Sequence, residues 1–174
     1  MLIVFGGLPG TGKTSVSRAV AARFGAMHLR IDVIEQAMRN AGIAEVGAAG
    51  YAVANALAEA NLGLGQTVVA DCVNPVSESR RGWADVAARA SARLAEIELV
   101  CSDPIEHRRR VESRTADLVG LAIPTWEAVS RRAFEPWDGD HLRLDTAGRS
   151  PVELAAQCIA YVSERASAHD NRFE

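Results

Sequence analysis

The stretch Gly7-Leu8-Pro9-Gly10-Thr11-Gly12-Lys13-Thr14 decides the fold of this chain, because it matches the pattern GxxxxGK[ST] at every fixed position. Glycines in such a loop allow positive φ angles, and they let successive backbone N–H groups converge on a phosphate oxygen. In this pattern the lysine reaches the outer phosphates of a nucleotide and the Thr14 hydroxyl binds Mg²⁺. The expected nucleotide contacts are Gly7, Leu8, Pro9, Gly10, Thr11, Gly12, Lys13, Thr14 and Ser15.

The segments around the loop have the structure that a phosphate site requires. Leu2–Phe5 is a continuous apolar run, which predicts a buried parallel strand. Gly12–Phe24 has apolar residues at helical spacing, and Gly25 predicts the end of that helix. A plain glycine turn is the alternative, but the positive end of the predicted helix favours an anion at the loop. We expect Lys13, the one lysine of the chain, in an exposed loop.

The remaining chain alternates between strand and helix patterns. Beyond 2–5, strands are predicted over 27–32, 67–72, 97–101 and 141–145. Beyond 12–24, helices are predicted over 33–39, 51–62, 77–93, 104–114, 125–134 and 151–165. This alternation predicts a three-layer α/β fold of the P-loop NTPase type, with a five-stranded parallel sheet and helices on both faces. Apolar runs at 2–5 and 67–72 indicate central strands, whereas alternation at 27–32 and 141–145 indicates half-exposed edges. These assignments favour the order 2-3-1-4-5.

Length and charge restrict the class of protein. The chain has 174 residues and a net charge of −3, which is typical of one globular domain without a polyanionic partner. We predict a single domain over 1–166, a small helical lid over about 104–137, and a flexible tail over 167–174. Three widely spaced cysteines show no zinc-ligand spacing. Neither a signal peptide nor an apolar run of membrane-spanning length is recognisable, so we expect a cytoplasmic protein.

Two large classes of nucleotide-binding protein fit poorly. An AAA+ machine needs a strand ending in Asp-Glu and a second helical domain, whereas the candidate strand here ends in Asp71-Cys72. A GTPase needs an NKxD motif, which a chain with one lysine at position 13 does not contain. A GTPase also needs a DxxG motif soon after the phosphate loop, whereas Asp145-Thr146-Ala147-Gly148 lies far beyond it. This segment is instead interpreted as the loop that flanks the nucleotide base, with contacts expected from Thr146 and Gly148.

The sequence resembles a known group of kinases. The phosphate loop, "HLRIDVIEQAMR" (28–39), "TVVADCVNP" (67–75) and "CSDPIEHRRRVESR" (101–114) are similar to small AAA-family, kinase-like P-loop proteins of the zeta-toxin and chloramphenicol-phosphotransferase type. Gluconate, adenylylsulfate and polynucleotide kinases are more distant relatives. The resemblance covers roughly residues 1–165, and it implies transfer of the ATP γ-phosphoryl group to a hydroxyl, with Mg²⁺.

Two aspartates at predicted strand ends are candidates for the chemistry. Asp32 stands where the phosphate loop opens, and the resemblance implies that it accepts the proton of the attacking hydroxyl. Its alternative role is to cap the helix that starts at Val33. Asp71 is a candidate to hold Mg²⁺ through water, or to bond the Thr14 hydroxyl. Its alternative is a hydrogen bond to nearby backbone.

Arginines on the predicted 104–114 helix are candidates for a lid. Arg110 and Arg114 are four residues apart and therefore share a helix face. The resemblance implies that one of them closes over the phosphates and stabilises charge in the transition state, with Arg110 the first choice. The alternative is a solvated basic face paired with Glu106 and Glu112.

The expected acceptor contacts follow the second and third strands. They are Asp32, Arg39, Tyr51, Asn74 and Arg80. We expect a small-molecule hydroxyl acceptor and neither a nucleic acid nor a membrane partner, in a monomer or homodimer. Two other functions stay open: an ATP-binding regulatory or toxin-like module with little turnover, and a polynucleotide 5′-hydroxyl kinase.

Overall fold

The computed structural model describes residues 1–167 and contains a five-stranded parallel sheet in the order β2-β3-β1-β4-β5. The predicted fold class and strand order are thereby confirmed. The strands are β1 (Leu2–Gly6), β2 (Met27–Arg30), β3 (Val68–Asp71), β4 (Leu94–Val100) and β5 (Leu142–Asp145). The helices are α1 (Lys13–Phe24), α2 (Ile31–Asn40), α3 (Ala49–Gly63), α4 (Ser77–Arg89), α5 (Pro104–Glu112), α6 (Trp126–Ser130) and α7 (Pro151–Ser167).

The register of the strands places polar residues at one edge of the sheet. Asp71 at the end of β3 lies opposite Phe5 of β1 and opposite Arg30 of β2. The carboxyl ends of parallel strands meet at this edge, which is where ligands bind in open α/β sheets. The loop after β1 and the helix after β2 therefore start at the same end of the sheet, on either side of the end of β3.

Two apolar clusters cover the faces of the sheet. On one face, Ile3 and Phe5 pack with side chains of α1 and α7 such as Val20 and Cys158. On the other, Leu2 and Val4 pack with side chains of α3 and α4, where Trp83 is fully buried. Since successive residues of a strand face opposite sides, burial of both faces requires the continuous apolar run seen in β1.

Strand β2 differs from its prediction in two ways. It ends at Arg30 rather than at 32, because α2 begins at Ile31. The face that carries His28 and Arg30 is not open to solvent. The Ser17 hydroxyl of α1 lies 3.0 Å from His28 Nε2, and Arg30 is only 3% exposed. Side chains from other segments therefore cover a strand that alternation alone marked as half-exposed.

Several helices are shorter than their periodicity predicts. Helix α4 ends at Arg89 and α5 at Glu112, four and two residues early. Helix α6 stops at Ser130 instead of 134. The residues that follow α6 make tertiary contacts instead of helical ones: the N–H of Glu135 donates to the carbonyl of Pro75 at 2.8 Å. The predicted caps Asp103 and Thr125 are both confirmed by hydrogen bonds to backbone N–H groups.

The C-terminal helix continues through Ser167, so the predicted tail over 167–174 starts one residue early. The rest of that tail lies outside the described residues. Among residues 1–167, no helix combines the length and apolar character needed to cross a membrane.

Candidate active site

The glycine loop joins β1 to α1 in the conformation that its sequence predicts. Gly7 and Gly10 have φ angles of +136° and +87°. A Cβ atom on Gly10 would lie 2.5 Å from the Val111 side chain, so α5 approaches the loop too closely for any other residue. His107 of α5 also donates from Nε2 to the carbonyl of Pro9 at 2.8 Å. Helix α5 therefore supports the loop from outside.

The start of α1 leaves its backbone N–H groups available to an anion. Gly12 occupies the N-cap position, and no side chain caps the helix. The first N–H groups of a helix lack partners within the helix and carry its positive dipole end. Together with the positive φ angles of the loop, this arrangement fits a phosphate group.

The sequence analysis predicted Lys13 in an exposed loop, and this prediction is wrong. Lys13 is the first residue of α1, and it is only 8% exposed. Its Nζ donates to the carbonyl of Leu8 at 2.9 Å. Burial lowers the pKa of Lys13, and the negative charges of Asp71 and Asp32 oppose that shift. A buried ammonium with one neutral partner and two nearby carboxylates is suited to a polyanion.

Asp71 is buried at the end of β3, with 4% of its surface exposed. Its Oδ2 has no hydrogen-bond partner within residues 1–167, and no bond to the Thr14 hydroxyl is formed. A buried carboxylate oxygen without a partner is costly, and bound water or a cation would satisfy it. These residues therefore fit a magnesium ion that accompanies a nucleotide, held by Thr14 and, through water, by Asp71.

Asp32 does not cap α2. It lies inside the first turn, the N-cap position belongs to Arg30, and no side chain caps the helix. The Asp32 carboxylate instead accepts a hydrogen bond from Arg30 Nη2 at 2.9 Å and lies 3.7 Å from Arg114 Nη2. Two arginines thus orient a carboxylate that is 40% exposed at the mouth of the cavity beside Lys13.

A second carboxylate, which the sequence analysis missed, ties the lid to the body of the protein. Arg30 Nη1 donates to Asp117 Oδ2 at 2.5 Å, and Arg18 Nη2 donates to the same oxygen at 3.0 Å. Arg114 lies 4.0 Å from the other oxygen of Asp117. Arg30 therefore bridges Asp117, in the segment predicted to form the lid, and Asp32 of α2.

We expect Asp117→Asn to weaken the lid attachment in a pH-dependent way. The hydrogen bond from Arg30 lowers the pKa of Asp117 to about 2. A depressed carboxyl pKa contributes stability above its unfolded value, about 3.9, and loses that contribution as the pH falls through about 2. Since the side chain is 38% exposed, solvent screening limits the effect to about 1 kcal/mol.

Thermal unfolding of wild type and Asp117→Asn from pH 6 to pH 2 checks this expectation. The wild type should melt higher at pH 6, and the difference should vanish towards pH 2. Asp138→Asn is the matched control, because Asp138 is exposed and makes no hydrogen bond or ion pair among the described residues. A difference that persists unchanged at pH 2 would mean that the Asp117 carboxylate charge plays no part.

The lid arginines occupy separate places. Arg114 lies beyond the end of α5, so the predicted shared helix face does not exist. Arg110 points away from Asp32 and donates to the Thr146 hydroxyl and carbonyl at 2.9 and 2.8 Å, with Glu106 at 2.6 Å. Arg108 and Arg109 are exposed and pair with glutamates of their own helix, which is the solvated face that the sequence left open.

The loop after β5 lies against α5, where the sequence places the nucleotide base. Thr146 is fully buried and contacts Arg110, while the N–H of Gly148 donates to Glu106 Oε2 at 2.9 Å. Arg110 is therefore positioned beside the predicted base site, and Arg114 beside the predicted phosphoryl site. The nucleotide contacts of Thr146 and Gly148 themselves stay predictions.

A cavity of about 350 Å³ connects the phosphate loop to the lid. It is lined by Lys13, Asp71 and Asp32 at the loop and by Gly120, Leu121 and Pro124 of the lid. Glu35, Gln36, Arg39 and Arg132 are among the other residues of its wall, and of these four the sequence predicted Arg39 alone. This volume is at the small end of ligand sites, which suits a small molecule.

The other three predicted acceptor residues do not line this cavity. Asn74 is fully buried, with its N–H donating to Tyr51 Oη and its side chain accepting from Trp83 Nε1. Arg80 is 8% exposed and donates to the carbonyls of Asn74 and Pro136. Tyr51, Asn74 and Arg80 therefore form a polar network that holds the segment over 135–136 away from this cavity, and their contacts with the acceptor stay predictions.

A larger cavity, of about 420 Å³, lies on the other side of the loop under Phe134 and Trp137. Buried Glu98, paired with Arg143 at 2.8 Å, is its main charged group. Neither Lys13 nor Asp32 lines it, so we assign the chemistry to the smaller cavity.

Comparison with protein families gives a match over most of the chain. A family model described as an AAA domain matches residues 2–135, from β1 to the segment after α6. The matched region therefore includes the phosphate loop, both candidate aspartates and most of the segment over 104–137 that was predicted to form a lid. Comparison with curated proteins gives no match.

Three solved structures share the fold. A candidate kinase from Chloroflexus aurantiacus is 23% identical with a TM-score of 0.74, and the alignment covers 94% of this chain and 96% of that one. A gluconokinase from Sinorhizobium meliloti is 18% identical with a TM-score of 0.68, covering 99% and 97%. The APS kinase of Mycobacterium tuberculosis, solved with AMPPNP and APS, is 21% identical with a TM-score of 0.65, covering 93% and 96%.

Proposed function

The chain belongs to the AAA domain family, and on that premise we propose that it is an ATP-dependent phosphotransferase, moving the γ-phosphoryl group of ATP to a hydroxyl of a small molecule. One observation carries the proposal: Lys13, Asp71, Asp32 and Arg114 line a single cavity between the phosphate loop and the lid. A cation for the phosphates, a site for Mg²⁺, a carboxylate for the hydroxyl proton and an arginine for transferred charge are the parts that phosphoryl transfer requires.

The chain's own residues perform distinct tasks in this proposal. Backbone N–H groups of the loop hold the phosphates, and Lys13 neutralises charge on the outer ones. Asp32 accepts the proton as the acceptor oxygen bonds to the γ-phosphorus, while the bond to the oxygen bridging the β- and γ-phosphates breaks and ADP leaves. Arg114 offsets charge on the group in transit. Thr14 and, through water, Asp71 would hold Mg²⁺, which would supply electrostatic stabilisation of the phosphate oxygens.

Similarity to small-molecule kinases supports an acceptor of modest size. Two of the structurally similar proteins are named for gluconate and for APS. The segment over 120–124 lines the cavity, whose volume of about 350 Å³ suits a sugar-sized compound. A polynucleotide site needs a track of cations for successive phosphates, and the net charge of this chain is −3. Within the AAA domain family, we propose that the chain is of the zeta-toxin and chloramphenicol-phosphotransferase type.

An assay with labelled ATP tests the proposal. The protein is incubated with Mg-ATP and a panel of sugars, sugar acids, nucleosides and aminoglycosides, and in parallel with 5′-hydroxyl oligonucleotides. Label appearing in a small molecule supports the proposal. Efficient labelling of oligonucleotides that declines steeply with salt favours the polynucleotide kinase, and slow ATP turnover unaffected by every acceptor favours the regulatory module.

Arg114→Ala and Arg110→Ala should affect different kinetic constants. Arg114 faces Asp32, so its loss should lower kcat about 100-fold with little change in KM for ATP. Arg110 contacts Thr146 at the predicted base site, so its loss should raise KM for ATP and change kcat less. Steady-state kinetics on both variants separate the roles. Arg108→Ala is the control, because Arg108 is 60% exposed and bonds only Glu112 among the described residues. A kcat effect confined to Arg110→Ala would reverse the assignment.

A further inference from the structure

The acceptor cavity has two ends with different charge. Helix α2 runs along the cavity from Asp32 in its first turn to Arg39 in its last turn, which is about 10 Å at about 1.5 Å per residue. Asp32 lies at the end with Lys13, Asp71 and Arg114, where phosphoryl transfer is proposed. Glu35, Arg39 and Arg132 also line the cavity. Glu35 and Arg132 both influence the pKa of Tyr51, which is raised chiefly by burial. Glu35, Arg39 and Arg132 are called the distal end below.

The distal end carries an excess positive charge. Arg39 Nη2 pairs with Glu35 Oε2 at 3.0 Å, so these two charges offset each other. Arg132, on the segment that leaves α6, has no carboxylate within 4.0 Å in the described part of the chain. Its neighbour Arg131 differs, because it pairs with Glu127 at 2.9 Å and lies outside the cavity. Of these two arginines, Arg132 thus lines the cavity without an ion-pair partner among the described residues.

Hydrogen-bond donors at and beside the distal end could bind an anionic group. Gln36 is 8% exposed and lines the wall one residue from Glu35, with its Nε2 donating to Asn40 at 2.9 Å. A guanidinium presents several N–H donors in a plane, and this geometry fits the two oxygens of a carboxylate or a phosphate. Arg132 is exposed and therefore solvated without a ligand, and an anionic group would accept a stronger, charge-assisted hydrogen bond from it than a neutral hydroxyl would.

We propose that the acceptor is a small hydroxylated anion, with its carboxylate or phosphate group bound at Arg132 and its reacting hydroxyl at Asp32. This inference rests on the proposed function and names the substrate class of the same site. The anion at one end and the proton acceptor at the other fix the direction in which the acceptor lies. Orientation of this kind selects which hydroxyl receives the phosphoryl group.

Matched acceptor pairs test the inference. The probes are gluconate against glucose for a carboxylate, and ribose 5-phosphate against ribose for a phosphate, each with Mg-ATP. We expect kcat/KM for at least one anion to exceed that of its neutral parent more than tenfold. The two pairs distinguish the source of the anion, since a carboxylate and a phosphate monoester are compared separately.

Variants at two adjacent positions locate the effect. Arg132→Gln should lower kcat/KM for the anionic acceptor about tenfold, mainly through KM, and lower it much less for the neutral parent. Arg132→Lys should retain part of the preference, because it keeps the charge without the planar donors. Arg131→Gln is the control and should resemble wild type. Melting curves of all three variants should coincide with that of wild type, since both arginines are exposed.

The outcomes separate this inference from the proposed function. Efficient phosphorylation of the neutral parents, with Arg132→Gln matching Arg131→Gln, overturns the inference and leaves the phosphotransferase in place. Absence of transfer to every acceptor, while nucleotide binding is measured by calorimetry, overturns both. An anion preference that survives in Arg132→Gln would also contradict the inference, because the preference would then arise elsewhere in the cavity.

Discussion

Replacing Lys13 by alanine should abolish phosphoryl transfer, by about 10³-fold or more, while the protein stays folded. Loss of one positioned donor to developing charge costs about 10²–10³ in rate, and Lys13 adds a full positive charge to its hydrogen bonds. Its ammonium makes one hydrogen bond within the described residues, to the Leu8 carbonyl, so few contacts are lost. Because burial lowers the pKa of Lys13, the charge is costly to hold and removing it should not weaken the core.

Two measurements check the Lys13 result. Transfer is followed with labelled ATP, and the fold is followed by far-ultraviolet circular dichroism and thermal unfolding. Arg23→Ala is the control for loss of a cation, because Arg23 lies on the exposed face of α1. Wild-type turnover in Lys13→Ala would remove the phosphotransferase proposal, whereas inactivity with loss of the melting transition would report unfolding instead.

Replacing Asp32 by asparagine should slow transfer about 10²–10⁴-fold, because a general base that cannot accept a proton is lost. The amide has nearly the same shape and still accepts a hydrogen bond from Arg30, which is 2.9 Å away in the wild type. Asp32 does not line the glycine loop, so binding of Mg-ATP should remain close to wild type.

Two measurements on Asp32→Asn, the rate of phosphoryl transfer and the affinity for nucleotide, together decide the role of Asp32. Single-turnover transfer should fall while the dissociation constant for an ATP analogue with Mg²⁺ stays near its wild-type value. Asp85→Asn on the exposed face of α4 is the control for removing a helical carboxylate away from the cavity. A variant that turns over at the wild-type rate would leave Asp32 as a partner of Arg30 and Arg114 without a chemical role.

Much of the fold was predictable because it depends on short-range patterns. The run Leu2–Phe5 is apolar at every position, which is what burial on both faces of a central strand requires. The caps Asp103 and Thr125 were predictable for the same reason, since a cap bonds backbone N–H groups two or three residues away. Helix ends were less predictable, because α5 and α6 stop where more distant segments bind the chain.

The candidate site was predictable in its loop and less so in its surroundings. Lys13, Asp32, Asp71, Arg39 and Arg114 all line the cavity beside the loop. Arg30 was missed although it stands two residues before Asp32, because alternation assigned it to solvent. Its main partner, Asp117, lies 87 residues away, and no local pattern connects the two. Asn74 and Arg80 were predicted as acceptor contacts because they follow the third strand. In the structure, Asn74 bonds Tyr51 and Trp83, and Arg80 bonds backbone carbonyls.

The amino-acid sequence by itself determined the phosphate loop, the parallel sheet and the order of its strands, because glycine conformations and apolar periodicity act within a few residues. Only the tertiary structure decided which arginine faces which part of the site. Arg110 contacts Thr146, Arg114 contacts Asp32, and Arg132 faces the cavity while Arg131 pairs with Glu127. These residues are chemically identical in the sequence, and they differ in where helices end and in which distant charges the fold brings within a few ångströms of them.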